Sequence, residues 1–251
     1  MHLGLVTYNL AAEWDLDRII EVCEASGFEA VELRTTHAHG VEPELTEQQR
    51  NEVRRRFAKS NVVLLGLGTT CEYHSADAEE LAAQKQRTME FIDLAQDIGA
   101  RGIKVRPNRL VEGVPAEQTL RQIGEALAEA GEYAASGGIR VWLEVHGQET
   151  SKPAHIATIM GYVEAPNVEV CWNCNPTDVE NGSIAGSFGL LQDRIGLVHT
   201  HDLYDDYPYA ELIRLLKGIG YEGYCMSESP ASADPERVMR YYAALWREMV
   251  R

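Results

Sequence analysis

The chain has 251 residues, 45% of them apolar, and carries 39 acidic against 23 basic side chains for a net charge of −16. That length suits one α/β barrel or two small domains, and no apolar run approaches the length of a membrane span. The acidic field repels phosphate backbones, and the one basic cluster, Arg54-Arg55-Arg56, lies among acidic neighbours in a predicted helix, so nucleic acid is a poor partner. The first ten residues show neither a basic leader region nor a small-residue cleavage site, and the five cysteines are scattered. Both features suit a cytoplasmic protein with reduced thiols. Cys171 and Cys174 form a C-x-x-C, but at a strand end and with no second such pair, which disfavours a redox or zinc role.

In chain order, Leu3 to Thr7 reads as a short strand, and Ala12 to Ser26 shows helical spacing closed by Gly27. Ala30 to Leu33 is the second strand, Thr46 to Ser60 a charged helix, and Asn61 to Leu67 the third strand. Ala78 to Ile98 is a long helix ended by Gly99. Gly102 to Val105 and Pro115 to Ala135 form the next pair. Ile139 to Gly147, I-R-V-W-L-E-V-H-G, is the fifth strand, followed by a helix over Pro153 to Tyr162. Strand six is Val168 to Trp172, a weak helix spans Ser187 to Asp193, and strand seven is Ile195 to Thr200. Helix seven covers Tyr209 to Lys217, strand eight Gly223 to Met226, and the last helix Pro235 to Arg251.

Eight strands alternating with eight helical segments, without a linker between them, imply parallel strands joined by crossover helices. The absence of G-x-G-x-x-G after strand one counts against a dinucleotide-binding sheet. The reading is therefore an α/β fold, a single (β/α)8 TIM barrel over residues 1–251.

Chemistry in such barrels gathers at the carboxyl ends of the strands. The polar residues there are Tyr8 and Asn9; Glu32, Arg34 and His37; Thr69, Thr70, Glu72 and His74; Lys104, Arg106 and Asn108. The later strands add Glu144 and His146, Asn173 and Asn175, His199, His201 and Asp202, and Glu228. Glu144 and His146 alternate, so both face the same side of a buried strand, where they need compensation. Glu32 reads equally well as a carboxylate paired with a nearby Lys or Arg. A carboxylate from strand five, an amide from strand six, an imidazole from strand seven and a carboxylate from strand eight suit a divalent cation with open positions. The alternative is a polar, hydrogen-bonded barrel mouth without metal.

The sequence resembles the xylose isomerase-like barrel superfamily. The resemblance is carried by V-E-L at Val31 to Leu33, L-E-V-H at Leu143 to His146 and V-E-V-C-W-N at Val168 to Asn173, with V-H-T-H-D at Val198 to Asp202 and S-E-S-P at Ser227 to Pro230. It implies a divalent metal, commonly Mn²⁺ with Mg²⁺, Co²⁺ or Zn²⁺ tolerated, on Glu144, Asn173, His199 and Glu228. Two departures stand out: Asn173 where the family usually has Asp, and Pro176 where it has His. Asn175 or Asp178 is then a candidate substitute ligand. The E-x-x-N-R-F of the epimerase branch is also missing after strand five, where this chain reads E-V-H-G-Q-E-T.

The resemblance implies a sugar isomerase or epimerase working on a small carbohydrate or keto-sugar through an enediolate. Glu144 and Glu228 would move the proton, with His74, Arg106, Asn108, His146, Asn175 and His201 holding substrate. Two alternatives use the same residues: a lyase or dehydratase acting on a keto-inositol or 3-keto-glycoside, and a non-catalytic sugar-binding barrel with a degraded metal site. Trp142 and Trp172 read as packing residues. A second copy of the chain is a further candidate partner, since barrels of this size often pair; a membrane is not.

Overall fold

The computed structural model describes residues 1–251. Eight parallel strands close into a barrel in sequence order, the first pairing with both the second and the eighth. They are β1 (His2–Val6), β2 (Ala30–Arg34), β3 (Val63–Glu72), β4 (Gly102–Arg106), β5 (Arg140–Glu144), β6 (Val168–Trp172), β7 (Ile195–Thr200) and β8 (Tyr224–Ser227). The crossover helices are α1 (Leu16–Ser26), α2 (Glu47–Ala58), α3 (Ala78–Ile98), α4 (Ala116–Ala135), α5 (Pro153–Met160), α6 (Ala185–Leu191), α7 (Tyr209–Gly218) and α8 (Pro235–Met249). Every predicted element is present, and the differences lie at the ends.

Those differences have local causes. Helix α1 starts four residues later than expected because Asp15 caps it, its carboxylate accepting from the Arg18 N–H. Helix α2 is bounded by a reciprocal cap between Thr46 and Gln49. Strand β3 runs five residues past its predicted end: its pairing with β4 is interrupted after Gly68 and resumes at Glu72, opposite Arg106. That irregularity carries the strand up to the barrel mouth.

Two cores result. The larger lies between the strands and the helices. The smaller fills the barrel, where Val6, Ala30, Leu65, Trp142, Cys171, Leu197 and Met226 meet. Trp142 is accommodated by glycines on its neighbours. A Cβ on Gly66 would fall 2.8 Å from its ring, and one on Gly102 would fall 2.6 Å away. Its indole N–H donates to Glu169 at 3.0 Å, so the one polar atom of this plug is satisfied. Trp172 is also buried and donates to the Tyr207 hydroxyl. All five cysteines are buried and unpaired, Cys171 and Cys174 included.

Candidate metal centre

Strand geometry decides which side chains enter the barrel, because successive residues face opposite ways. The inward positions above the apolar plug are one step of two along each strand: Ala30 to Glu32 to Arg34, Gly102 to Lys104 to Arg106, and Trp142 to Glu144 to His146. The same step leads from Leu197 to His199 and His201, and from Met226 to Glu228. The apolar layer is thus overlaid by a charged one, in which Glu32, Lys104, Glu144 and His199 are all buried. Charges removed from water must be paired. Lys104 Nζ lies 2.6 Å from Glu144 Oε2, and His199 Nε2 lies 3.0 Å from Glu32 Oε2.

The second pair sets the chemistry of the imidazole. Burial opposes a charge on this imidazole, but Cys171 and Glu32 hold its pKa well above the ordinary histidine value, so without a cation it is protonated on both nitrogens. A metal ion would replace the Nδ1 proton while Nε2–H stays on Glu32, the arrangement in which a carboxylate orients a metal-binding histidine. His199 Nδ1 is buried, has no hydrogen-bond partner, and lies 3.8 Å from Glu144 Oε1 and 3.9 Å from Glu228 Oε2. Glu144, His199 and Glu228 each present a ligand atom within 4.8 Å of the others, a grouping able to hold a metal ion. Asn173 joins them: its amide N–H donates to Glu144 Oε1 at 3.1 Å, and its Oδ1 is buried without a partner. An unpartnered ring nitrogen and an orphaned amide oxygen beside two carboxylates fit a divalent cation with a preference for nitrogen and oxygen ligands.

The electrostatics keep the carboxylates charged. Burial opposes ionisation of Glu144, but Lys104 and His199 outweigh it and hold its pKa below the usual range. Glu228 is brought down to about 2 against burial, by His201, His199 and Lys104. Burial also opposes a charge on Lys104, yet Glu144 and Glu32 raise its pKa. His146, by contrast, is held below the ordinary histidine value, chiefly by burial and then by Lys104 and Arg106 against the pull of Glu144.

The profile of the xylose isomerase-like TIM barrel family matches residues 20–249. The chain belongs to this family. No curated protein matches it significantly by sequence. Among solved structures it is similar to D-psicose 3-epimerase from Clostridium cellulolyticum H10 with D-tagatose, at 17% identity and TM-score 0.85 over 100% of both chains. It is also similar to 3-keto-D-glucoside 4-epimerase from E. coli, at 15% identity and TM-score 0.83 over 99% of each chain. A third similar structure is IOLI protein with a binding zinc atom, at 15% identity and TM-score 0.80, covering 100% of this chain and 98% of that one.

Within this xylose isomerase-like barrel the expected site residues separate into groups. A cavity of about 540 Å³ at the mouth is lined by Arg106, His146, Glu144, Asn173 and Glu228, together with Tyr8, Asn9, Arg34, His37 and Lys104. His201 stands beside it, Nε2 3.7 Å from Glu228 Oε2. His74 lines a neighbouring cavity, where its Nε2 accepts from Arg109 at 3.2 Å. Asn108 lines neither; it sits at φ +63°, and its carbonyl leaves no room for a Cβ on Gly147. Asn175 and Asp178 do not complete the ligand set. The Asn175 amide donates to the Val145 carbonyl, and its backbone N–H donates to Asp178 Oδ2, which also accepts from Tyr207. The chain just past β5 claims the Asn175 amide, and the Asn175 backbone and Tyr207 claim Asp178 Oδ2, while Asp178 Oδ1 is buried without a partner.

Residues without an assigned role in the sequence reading prove central to the geometry. Glu32 pairs with His199 across the barrel rather than with a Lys or Arg. Lys104 sits inside the charged ring. The signal for Lys104 was available: I-K-V-R in an apolar strand puts Lys104 and Arg106 on one face, as L-E-V-H does for Glu144 and His146.

Proposed function

We propose that this protein is a divalent-metal-dependent isomerase or epimerase that moves a proton beside the carbonyl of a small carbohydrate or keto-sugar through an enediolate. The observation that carries the reading is the convergence of Glu144, His199 and Glu228 on one point at the barrel mouth, beside the free Oδ1 of Asn173. The epimerase named in one similar structure together with D-tagatose, and the keto-glucoside epimerase named in another, support this class of chemistry.

Glu144, Asn173, His199 and Glu228 would hold the ion. The donor set suits Mn²⁺, with Mg²⁺, Co²⁺ and Zn²⁺ as alternatives. When bound, a divalent ion supplies Lewis acidity for a carbonyl oxygen and its neighbouring hydroxyl, worth several kcal/mol to a developing enediolate. The protein supplies the rest. Glu144 and Glu228 come from the ends of β5 and β8, on different sides of the mouth, and both are ionised at neutral pH. One can take the proton from the carbon and the other return it to the opposite face. Lys104 keeps Glu144 charged and fixed, and neutral His146 offers a ring nitrogen to substrate hydroxyls. The unpaired thiols fit a reducing, cytoplasmic compartment.

Protein purified without chelator should carry stoichiometric divalent metal. Incubation with a panel of ketoses and keto-sugars in D₂O should place deuterium on the carbon beside the carbonyl, with product mass otherwise unchanged. A metal-free barrel that exchanges no proton in any panel member refutes the proposal, and loss of water or of an aglycone assigns a lyase instead.

A further inference from the structure

The charged side chains that line the mouth cavity are richer in cations than the molecule as a whole. The chain as a whole is strongly acidic, yet the charged side chains lining the mouth cavity are Arg34, Lys104 and Arg106 against Glu144 and Glu228. Lys104 and Glu144 neutralise one another at 2.6 Å. A divalent ion on the candidate centre would offset Glu228 and the buried Glu32, leaving Arg34 without a carboxylate and Arg106 with Glu72 alone. Arg34 has no carboxylate partner: its guanidinium lies over the Tyr8 ring, 5.3 Å from the centroid. Arg106 reaches only Glu72, at 3.5 Å, and its Nε is buried with no acceptor. A desolvated guanidinium N–H without an acceptor is a hydrogen bond left unmade, and the planar fork of arginine matches carboxylate and phosphate oxygens. A neutral sugar could accept from these forks through its hydroxyls but would leave their charge without a counter-ion.

Both arginines line the same cavity. Arg34 ends β2 and Arg106 ends β4, each two residues beyond a buried charge that faces the candidate metal, Glu32 in one case and Lys104 in the other. An anion held by these arginines would therefore sit one layer above the reacting carbons, toward solvent. His37, in the same cavity, is held below the usual histidine value by burial and by the Arg34 charge, in keeping with a positive local field.

Resting on the isomerase reading, we infer that the substrate carries an anionic group, a carboxylate or a phosphate, and that Arg34 and Arg106 clamp it at the mouth of the barrel. The chemistry is thus directed at a sugar acid or a sugar phosphate rather than a neutral ketose.

The test uses the Mn²⁺-loaded full chain and three probes: D-fructose, D-fructose 6-phosphate and 5-keto-D-gluconate. Calorimetric titration should show at least one of the two anions binding about tenfold or more tightly than fructose, the size expected of one charge-assisted bidentate contact. The phosphate and carboxylate arms identify which anion is read. Arg34→Gln and Arg106→Gln should each remove most of that preference while leaving melting temperature and bound Mn²⁺ unchanged, and Arg34→Lys and Arg106→Lys should restore part of it. If fructose binds as tightly as both anions, or if well-folded glutamine variants keep the preference, the inference is overturned. Deuterium incorporation from D₂O into the same probes, measured in parallel, reports on the isomerase reading separately: exchange without anion preference sinks only the clamp. Anion preference without exchange in any keto-sugar sinks the isomerase reading and leaves a binding site.

Discussion

Lys104 places its ammonium 2.6 Å from Glu144 Oε2, inside the same ring of side chains that faces the candidate cation. Lysine and candidate cation thus share one carboxylate, Lys104 on Oε2 and the candidate ligands His199 and Asn173 on the side of Oε1. The lysine supplies positive charge in the metal-free protein, and Asn173, an amide where the family usually has an acid, withholds a negative one. Together they lessen the negative charge of the centre before any ion arrives.

Substituting Lys104→Met should expose this arrangement. Glu144 would remain buried beside Glu228 without its cation, and losing one partner of a buried pair costs about 3–5 kcal/mol. The expected result is a large loss of stability in urea denaturation with chelator present, and recovery of much of it on adding Mn²⁺. The wild-type protein should respond far less to the metal. Equal losses with and without Mn²⁺ would mean that the ion does not approach Glu144.

The complementary change is Asn173→Asp. It replaces an N–H donor to Glu144 by a second carboxylate and restores the charge that the amide lacks. Divalent-ion affinity rises with the number of charged ligands, so binding should tighten by about tenfold or more in a competition titration with a chelating dye. The metal-free variant should melt below the wild type because three carboxylates then share the mouth. Unchanged affinity would place residue 173 outside the coordination sphere.

A pH dependence follows from Asp178. Burial raises its carboxyl from the ordinary 3.8 to about 7, against hydrogen bonds from Tyr207 and the Asn175 backbone. The folded chain then keeps a proton that the unfolded chain releases near pH 4, so protons bound are fewer in the unfolded state and stability falls as pH rises between about 4 and 7. The full effect is of order 4 kcal/mol. Asp178→Asn should remove this contribution, so that the difference in unfolding free energy between variant and wild type grows in favour of the variant from pH 5 to pH 8. A difference that stays constant across that range would assign Asp178 an ordinary pKa.

The barrel itself was legible because its signals are local: apolar runs of strand length, amphipathic helices and glycine stops at Gly27 and Gly99. The late strand ends were legible for a similar reason. Glu144 and His146 alternate within one strand, and alternation alone sends both to the mouth. Contacts made by closing the barrel were not legible. Glu32 and His199 are 167 residues apart, on strands with no shared ladder, and only ring closure sets them facing. Nor could spacing show that the Asn175 amide would go to the Val145 carbonyl and Asp178 Oδ2 to Tyr207. The partner of Lys104 was not legible either: lysine at a strand end ordinarily reaches solvent, whereas here Glu144 holds it inside the ring.

The five cysteines have a practical corollary. Each thiol is buried, and burial pushes Cys171 to about 11 and Cys23 and Cys225 to about 12. Alkylating reagents attack thiolates they can reach, so the intact barrel should be inert to them and only transiently opened molecules should react. Because Cys23 lies in α1 and Cys171 and Cys225 in β6 and β8, the order in which they are labelled would chart which sectors of the wall open first, with no foreign probe introduced.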